Sequence, residues 1–183
     1  GEVSTPKIAV IGLGNSLRRD DGIGVIILES LLNNYKREAI DYLNFGIASF
    51  DLMHRLQNYD LALLIDGIAA GLPAGELKLF NLEEAAFSKE DSQKARVSSH
   101  ELNLKDIFRL THNLGIKTRI YIAGIQVQDV SFGESLSATL KEKLPELTKQ
   151  IDQFIGTLLN SKQDCSLKRD TFPCLPTGFE HRP

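Results

Sequence analysis

Two rhythms of apolar residues alternate along the chain. Short β-branched runs without polar interruption read as buried strands: Lys7–Leu13 (KIAVIGL), Asp60–Asp66 (DLALLID) and Thr118–Gln126 (TRIYIAGIQ). Ile40–Phe45 fits a further strand, and Glu76–Phe80 (ELKLF) alternates as an edge strand does. Between them the spacing turns helical. Ile23, Ile26, Ile27 and Leu31 fall on one face of Gly22–Tyr35, and Phe50–Leu56 suits a short helix. Ser98–Leu110 predicts a third helix, opened by a capping box from Ser98 to Glu101. Ser135–Leu159 predicts a long one, and Pro145 inside it predicts a kink or two helices meeting.

Strands that alternate with helices imply βαβ units, a mostly parallel sheet and helices on both faces. Right-handed crossovers place the second strand on one side of the first and the third on the other, or all to one side, and helical content on both faces favours the first arrangement. The strand order then reverses beside the first strand, and a ligand crevice opens at the carboxyl ends of the first and third. The whole pattern fits one α/β domain over residues 1–160. A tail over 161–183 carries both cysteines, Cys165 and Cys174, and His181.

Composition narrows the class. The 183 residues are 42% hydrophobic and 25% charged, which is ordinary for a globular chain. A net charge of −3 provides no electrostatic footprint for nucleic acid, so no nucleic-acid partner is expected. Two cysteines cannot make a disulfide framework, and a cytoplasmic protein is expected. No apolar run approaches the roughly 20 residues that span a bilayer, and no signal-peptide pattern opens the chain, so no membrane partner is expected. A monomer is expected.

Several motifs fail on inspection. Gly12-Leu-Gly14 lacks the third glycine of the dinucleotide fingerprint, and no P-loop is present. His100-Glu101 begins like a zinc-protease helix, but Leu104 stands where the second histidine belongs. No Gly-x-Ser-x-Gly elbow occurs. Cys165, Cys174 and His181 lack the close pairing of zinc modules, and His54 and His112 read as structural or solvated.

Three segments survive. In Gly12–Gly24 (GLGNSLRRDDGIG), two adjacent aspartates stand at a helix start. One can cap the helix while the other faces the crevice, and spacing alone leaves open which of Asp20 and Asp21 does which. Asp66 follows an apolar strand, which puts a carboxylate at the predicted crevice. His100, placed in the first turn of its helix, is expected to be neutral and able to bind a cation. Two carboxylates and one imidazole suit a divalent transition metal with positions left for water or substrate.

Taken together, GLGNSLRRDDGIG, LLIDG, SSHELNL, AGIQ at Ala123–Gln126 and the pair Leu136-Ser137 resemble the hydrogenase maturation endopeptidases, over roughly residues 7–158. Members of that family trim the C-terminus of the large subunit of nickel–iron hydrogenases. The resemblance implies a three-layer αβα sandwich around a five-stranded, mostly parallel twisted sheet. It implies Asp21, Asp66 and His100 as both metal-contacting and catalytic residues, choosing Asp21 over Asp20. It also implies nickel carried by the precursor of the large subunit, the expected partner, so that the free protein can be metal-free. Asp21 or Asp66 is the candidate general base. The turn Leu72-Pro-Ala-Gly75 departs from the adjacent Pro-Gly of many members, and the tail from Ser161 has no counterpart in the pattern. Two rival readings are a non-catalytic factor that binds nickel or the precursor, and a small-molecule hydrolase with a bound metal. Loops Ile47–His54 and Ala69–Gly75 are candidates for partner choice.

Overall fold

The computed structural model describes residues 6–84 and 103–164. Five strands form one sheet: β1 (Ile8–Leu13), β2 (Ile40–Gly46), β3 (Leu61–Ile68), β4 (Leu77–Asn81) and β5 (Arg119–Gln126). Their order is β2-β1-β3-β5-β4, parallel throughout except for β4, which runs antiparallel along the β5 edge. The expected reversal beside β1 is present, and so is the expected mostly parallel, five-stranded α/β architecture.

The period-two alternation of the central strands builds two cores. Ile8 and Val10 of β1, with Leu61, Leu63 and Ile65 of β3, face α1 (Ile23–Asn34) and α4 (Ala138–Asp164). Ala9 and Ile11, with Ala62 and Leu64, face α2 (Phe50–Leu56) and α3 (Leu104–Asn113). Both faces of β1 and β3 are covered, so their runs read as continuously apolar, whereas the edge strand β4 is only half-buried over most of its length.

Two helices differ from the expectation. α3 starts at Leu104 rather than at Ser98. Asn103 is its N-cap, in extended conformation, and forms a reciprocal capping box with Asp106. Asn103-x-x-Asp106 offers this helix the reciprocal bonds that were expected of Ser98 and Glu101. α4 runs unbroken through Pro145 and on to Asp164 instead of splitting. Pro145 lies on the exposed face, where water can take the Lys141 carbonyl that the missing N–H leaves over. Cys165, Cys174 and His181 lie outside the described residues, as do Ser98 and Glu101.

Candidate active site

The chain leaves β1 through Gly14, whose φ of +128° and tight surroundings exclude a side chain: a Cβ there would stand 1.8 Å from the Asp21 carbonyl oxygen. Gly14 N–H donates to the Gly46 carbonyl at 2.7 Å, tying this loop to the end of β2. The loop closes in a 3-10 turn over Arg19–Gly22, which feeds directly into α1.

The two adjacent aspartates in this turn have different work, and neither caps α1, whose N-cap is Gly22 without a side-chain bond. The expectation that one of them is that helix's cap is therefore corrected. Asp20 is fully buried. Its carboxylate accepts from the backbone N–H of Gln128, Asp129 and Ser137 and from the Ser137 hydroxyl, all within 2.7–2.9 Å. Burial alone would raise its pKa, but these four donors overcome that and hold it below the ordinary aspartate value. Ser137 is the residue whose carbonyl accepts the first bond of α4, from Lys141 N–H. Asp20 thus fastens the start of α4 and the loop after β5 to the loop after β1.

Asp21 is half-buried, and its Oδ2 accepts from Asn15 N–H at 3.1 Å. Asn15 in turn accepts from Leu17 N–H, an Asx-turn that shapes the loop. Asp66 lies within β3 beside Gly124 of β5, two positions short of the strand end. By strand alternation it shares the α2–α3 side of the sheet with Ala62 and Leu64.

Glycines bring these pieces to one edge. Gly24, in the first turn of α1, lies against strand carbonyls; a Cβ on it would meet the Ile65 oxygen at 2.1 Å and the Leu13 oxygen at 2.3 Å. A Cβ on Gly67 would meet the Asp20 carbonyl oxygen at 3.3 Å. The Asp20–Asp21 turn therefore rests on the carboxyl ends of β1 and β3, beside the Asp66-Gly67 step. The structure carries Asp21 and Asp66 to the same end of neighbouring strands.

His100 lies outside the described residues. The helix that follows, α3, has its N-cap at Asn103, and the expectation of a helix-dipole effect on His100 falls on residues outside those described. Among the described residues no group of three or more His, Cys, Asp or Glu is gathered as a metal site. His54 and His112 are both exposed, in agreement with a solvated reading.

Sequence reasoning did not find the lock made by Asp20. The only signal for it was the pair Asp20 and Ser137, separated by 117 positions and unconnected by any local spacing rule. It also missed Gln126, whose Oε1 accepts from Ala70 and Leu72 N–H and so pins the loop that follows Asp66.

Comparison with known proteins gives a consistent picture. The family model described as hydrogenase maturation protease (HycI) matches residues 25–153. The hydrogenase expression/formation protein HupD of Thiocapsa roseopersicina is 24% identical over 176 residues, covering 93% of this chain and 78% of its own. The hydrogenase 2 maturation protease of Escherichia coli K12 is 25% identical over 150 residues, covering 79% and 88%. Among solved structures, the E. coli hydrogenase maturating endopeptidase HybD superposes with a TM-score of 0.67 at 22% identity, over 83% of this chain and 93% of its own. The maturation protease HycI from Thermococcus kodakarensis gives 0.64 at 24%, over 84% and 95%.

Proposed function

Because this chain belongs to the hydrogenase maturation protease family, an endopeptidase family acting on the precursor of a hydrogenase large subunit, we propose that it recognises nickel already seated in that precursor and cuts the C-terminal peptide next to it. The nickel is part of the substrate. Asp21, Asp66 and His100 reach it, and the grip sets the scissile bond in register. The observation that supports this most is the delivery of Asp21 and Asp66 to adjacent strand ends at the switch point of the sheet.

The donor set fits the task. Two carboxylate oxygens and an imidazole nitrogen suit a borderline divalent ion, and three ligands leave positions for the precursor's own groups. Such an ion polarises a carbonyl or lowers the pKa of a water. The chain supplies a carboxylate, Asp21 or Asp66, that can take the proton of the attacking water. The Asn15 N–H bond limits the directions in which the Asp21 carboxylate can turn, which favours a defined contact.

The test is the mass of a nickel-loaded precursor after incubation with the purified chain. The wild type removes a C-terminal peptide. Asp21→Asn, Asp66→Asn and His100→Ala each lower the rate by on the order of a thousandfold or more while the fold persists, in line with loss of a group acting on the reacting centre. Wild-type cleavage by all three variants would refute the site. Tight complex formation without any mass change would instead make the chain a non-catalytic assembly factor.

A further inference from the structure

Six large apolar side chains stand exposed among the described residues: Leu17, Leu32, Ile47, Phe50, Leu114 and Phe132. Singly exposed apolar residues are ordinary. Their placement here is not scattered. Leu17 follows β1, Ile47 and Phe50 follow β2, and Phe132 follows β5, so four of the six leave the carboxyl ends of strands, at the end that carries Asp21 and Asp66.

Leu17 and Phe132 are also held rigidly in the open. Arg18 and Gly133 form a parallel β-bridge, which sets Leu17 opposite Phe132 in register. Gly133 N–H donates to the Leu17 carbonyl and Arg19 N–H to the Gly133 carbonyl, both at 2.9 Å. Arg18 Nε donates to the Val130 carbonyl, and its guanidinium stands 5.8 Å from the centre of the Phe132 ring. Beneath them the buried Asp20 clamps both ends of the loop. Arg19 keeps a φ of +42°, a strained value for a side chain of its size. A phenylalanine on a slack loop can fold back onto its own protein. Phe132 is 84% exposed on a backbone fixed from both sides. An aromatic side chain displayed without freedom to retreat binds at low ordering cost, and aromatics and arginine dominate the energetic centres of interfaces.

We propose that Leu17 and Phe132, continued by Ile47 and Phe50, form the docking surface for the folded body of the large-subunit precursor, covering an apolar patch of that precursor beside the tail to be cut. The occupant follows from the place: the ledge begins four positions before Asp21 and stands at the carboxyl ends of the strands, the end that carries the candidate active site. The inference rests on the precursor being the substrate, as argued above. Docking through apolar contact does not require the metal, so it is separable from recognition of nickel.

The full chain is titrated against nickel-free large-subunit precursor from the same source organism, with Kd read by biolayer interferometry. The wild type binds. Phe132→Ser weakens binding at least tenfold and Leu17→Ser at least threefold, with far-UV circular dichroism and Tm unchanged. Leu114→Ser, at the far end of the sheet, leaves Kd within twofold. Absence of wild-type binding, an unchanged Kd for Phe132→Ser, or self-association of the chain that Phe132→Ser abolishes would each overturn the docking surface. Failure of the wild type to cut nickel-loaded precursor, with the Phe132→Ser effect on Kd intact, would sink the endopeptidase mechanism and leave the docking surface standing.

Discussion

At the amino end of the sheet, an exposed Asp60 accepts from Lys7 N–H at 2.8 Å, while the Thr118 hydroxyl bonds the Leu56 and Tyr59 carbonyls. At the carboxyl end, Asp20 is buried and accepts four, from segments more than a hundred positions away. Both ends must join segments distant in sequence. The amino end does it in part with an exposed carboxylate, where water competes and the bond is worth little. The carboxyl end does it with a buried charge and glycines pressed against backbone, where any change is costly. The turn that carries Asp21 is fixed by these contacts beside the Asp66-Gly67 step of β3.

The substitution expected to do most damage to this arrangement is Gly24→Ala. Alanine in a helix normally gains about 1 kcal/mol over glycine. Here the new methyl would enter the space of the Ile65 and Leu13 carbonyl oxygens, both backbone atoms that cannot turn aside. α1 would have to lift from the sheet, loosening Ile23, Ile27, Leu28 and Leu31, all fully buried. Overpacking of this kind costs about 3 kcal/mol or more, so the net effect is destabilising. Urea unfolding of the two proteins measures it, and a stabilised Gly24→Ala variant would show that the close approach of α1 is unnecessary.

Next in size is Asp20→Asn. The amide keeps one accepting oxygen but turns an NH₂ toward N–H donors, so part of the buried network is left without an acceptor. Losses of this type run to about 3 kcal/mol. The variant also has a pH signature. Asp20's folded pKa is depressed, so its contribution is fully present above the unfolded value of about 3.9 and is lost as pH falls through the folded value. The gap in stability between wild type and Asp20→Asn is therefore constant near neutrality and narrows below about pH 4. A gap independent of pH down to 3 would mean that the charge of Asp20 is not what holds the loops.

These two positions also show what the sequence makes legible. β1, β3 and β5 were readable because a strand covered on both faces has no choice but to be apolar throughout. The strand order followed from crossover handedness together with helical content on both faces, and with it the end of the sheet to which Asp21 and Asp66 are carried. The start of α3 was not readable, because Ser98/Glu101 and Asn103/Asp106 offer two capping boxes five residues apart, and local spacing does not say which one opens this helix. Continuity through Pro145 was hidden because the cost of a helical proline depends on whether its side of the helix is wet. The job of Asp20 was hidden most deeply. Adjacent aspartates at a helix start look like a cap and a ligand, whereas Asp20 serves a helix 117 positions later, a pairing visible only once the chain is folded. His100 was legible as a candidate from its place after Ser98 and from the resemblance, and its setting falls outside the described residues.

The smallest effect is expected from Asp60→Asn, and it sharpens the contrast between the two ends. The asparagine oxygen can still accept from Lys7 N–H, and the charge that is removed stands at an exposed site, where solvent and salt screen it. The backbone supplies its own tie at this point: Asp60 N–H donates to the Lys7 carbonyl and Arg119 N–H donates to the Asp60 carbonyl, at 2.9 and 3.0 Å. Neither bond involves the side chain. The cost should stay below about 1 kcal/mol and leave precursor cleavage unaltered, as the position stands at the far end of the strand from Asp66. Parallel unfolding curves for Asp60→Asn and Asp20→Asn make the comparison directly. Equal losses would mean that burial does not set the worth of these carboxylates, and the account of a rigid carboxyl end built to display its site would lose its physical basis.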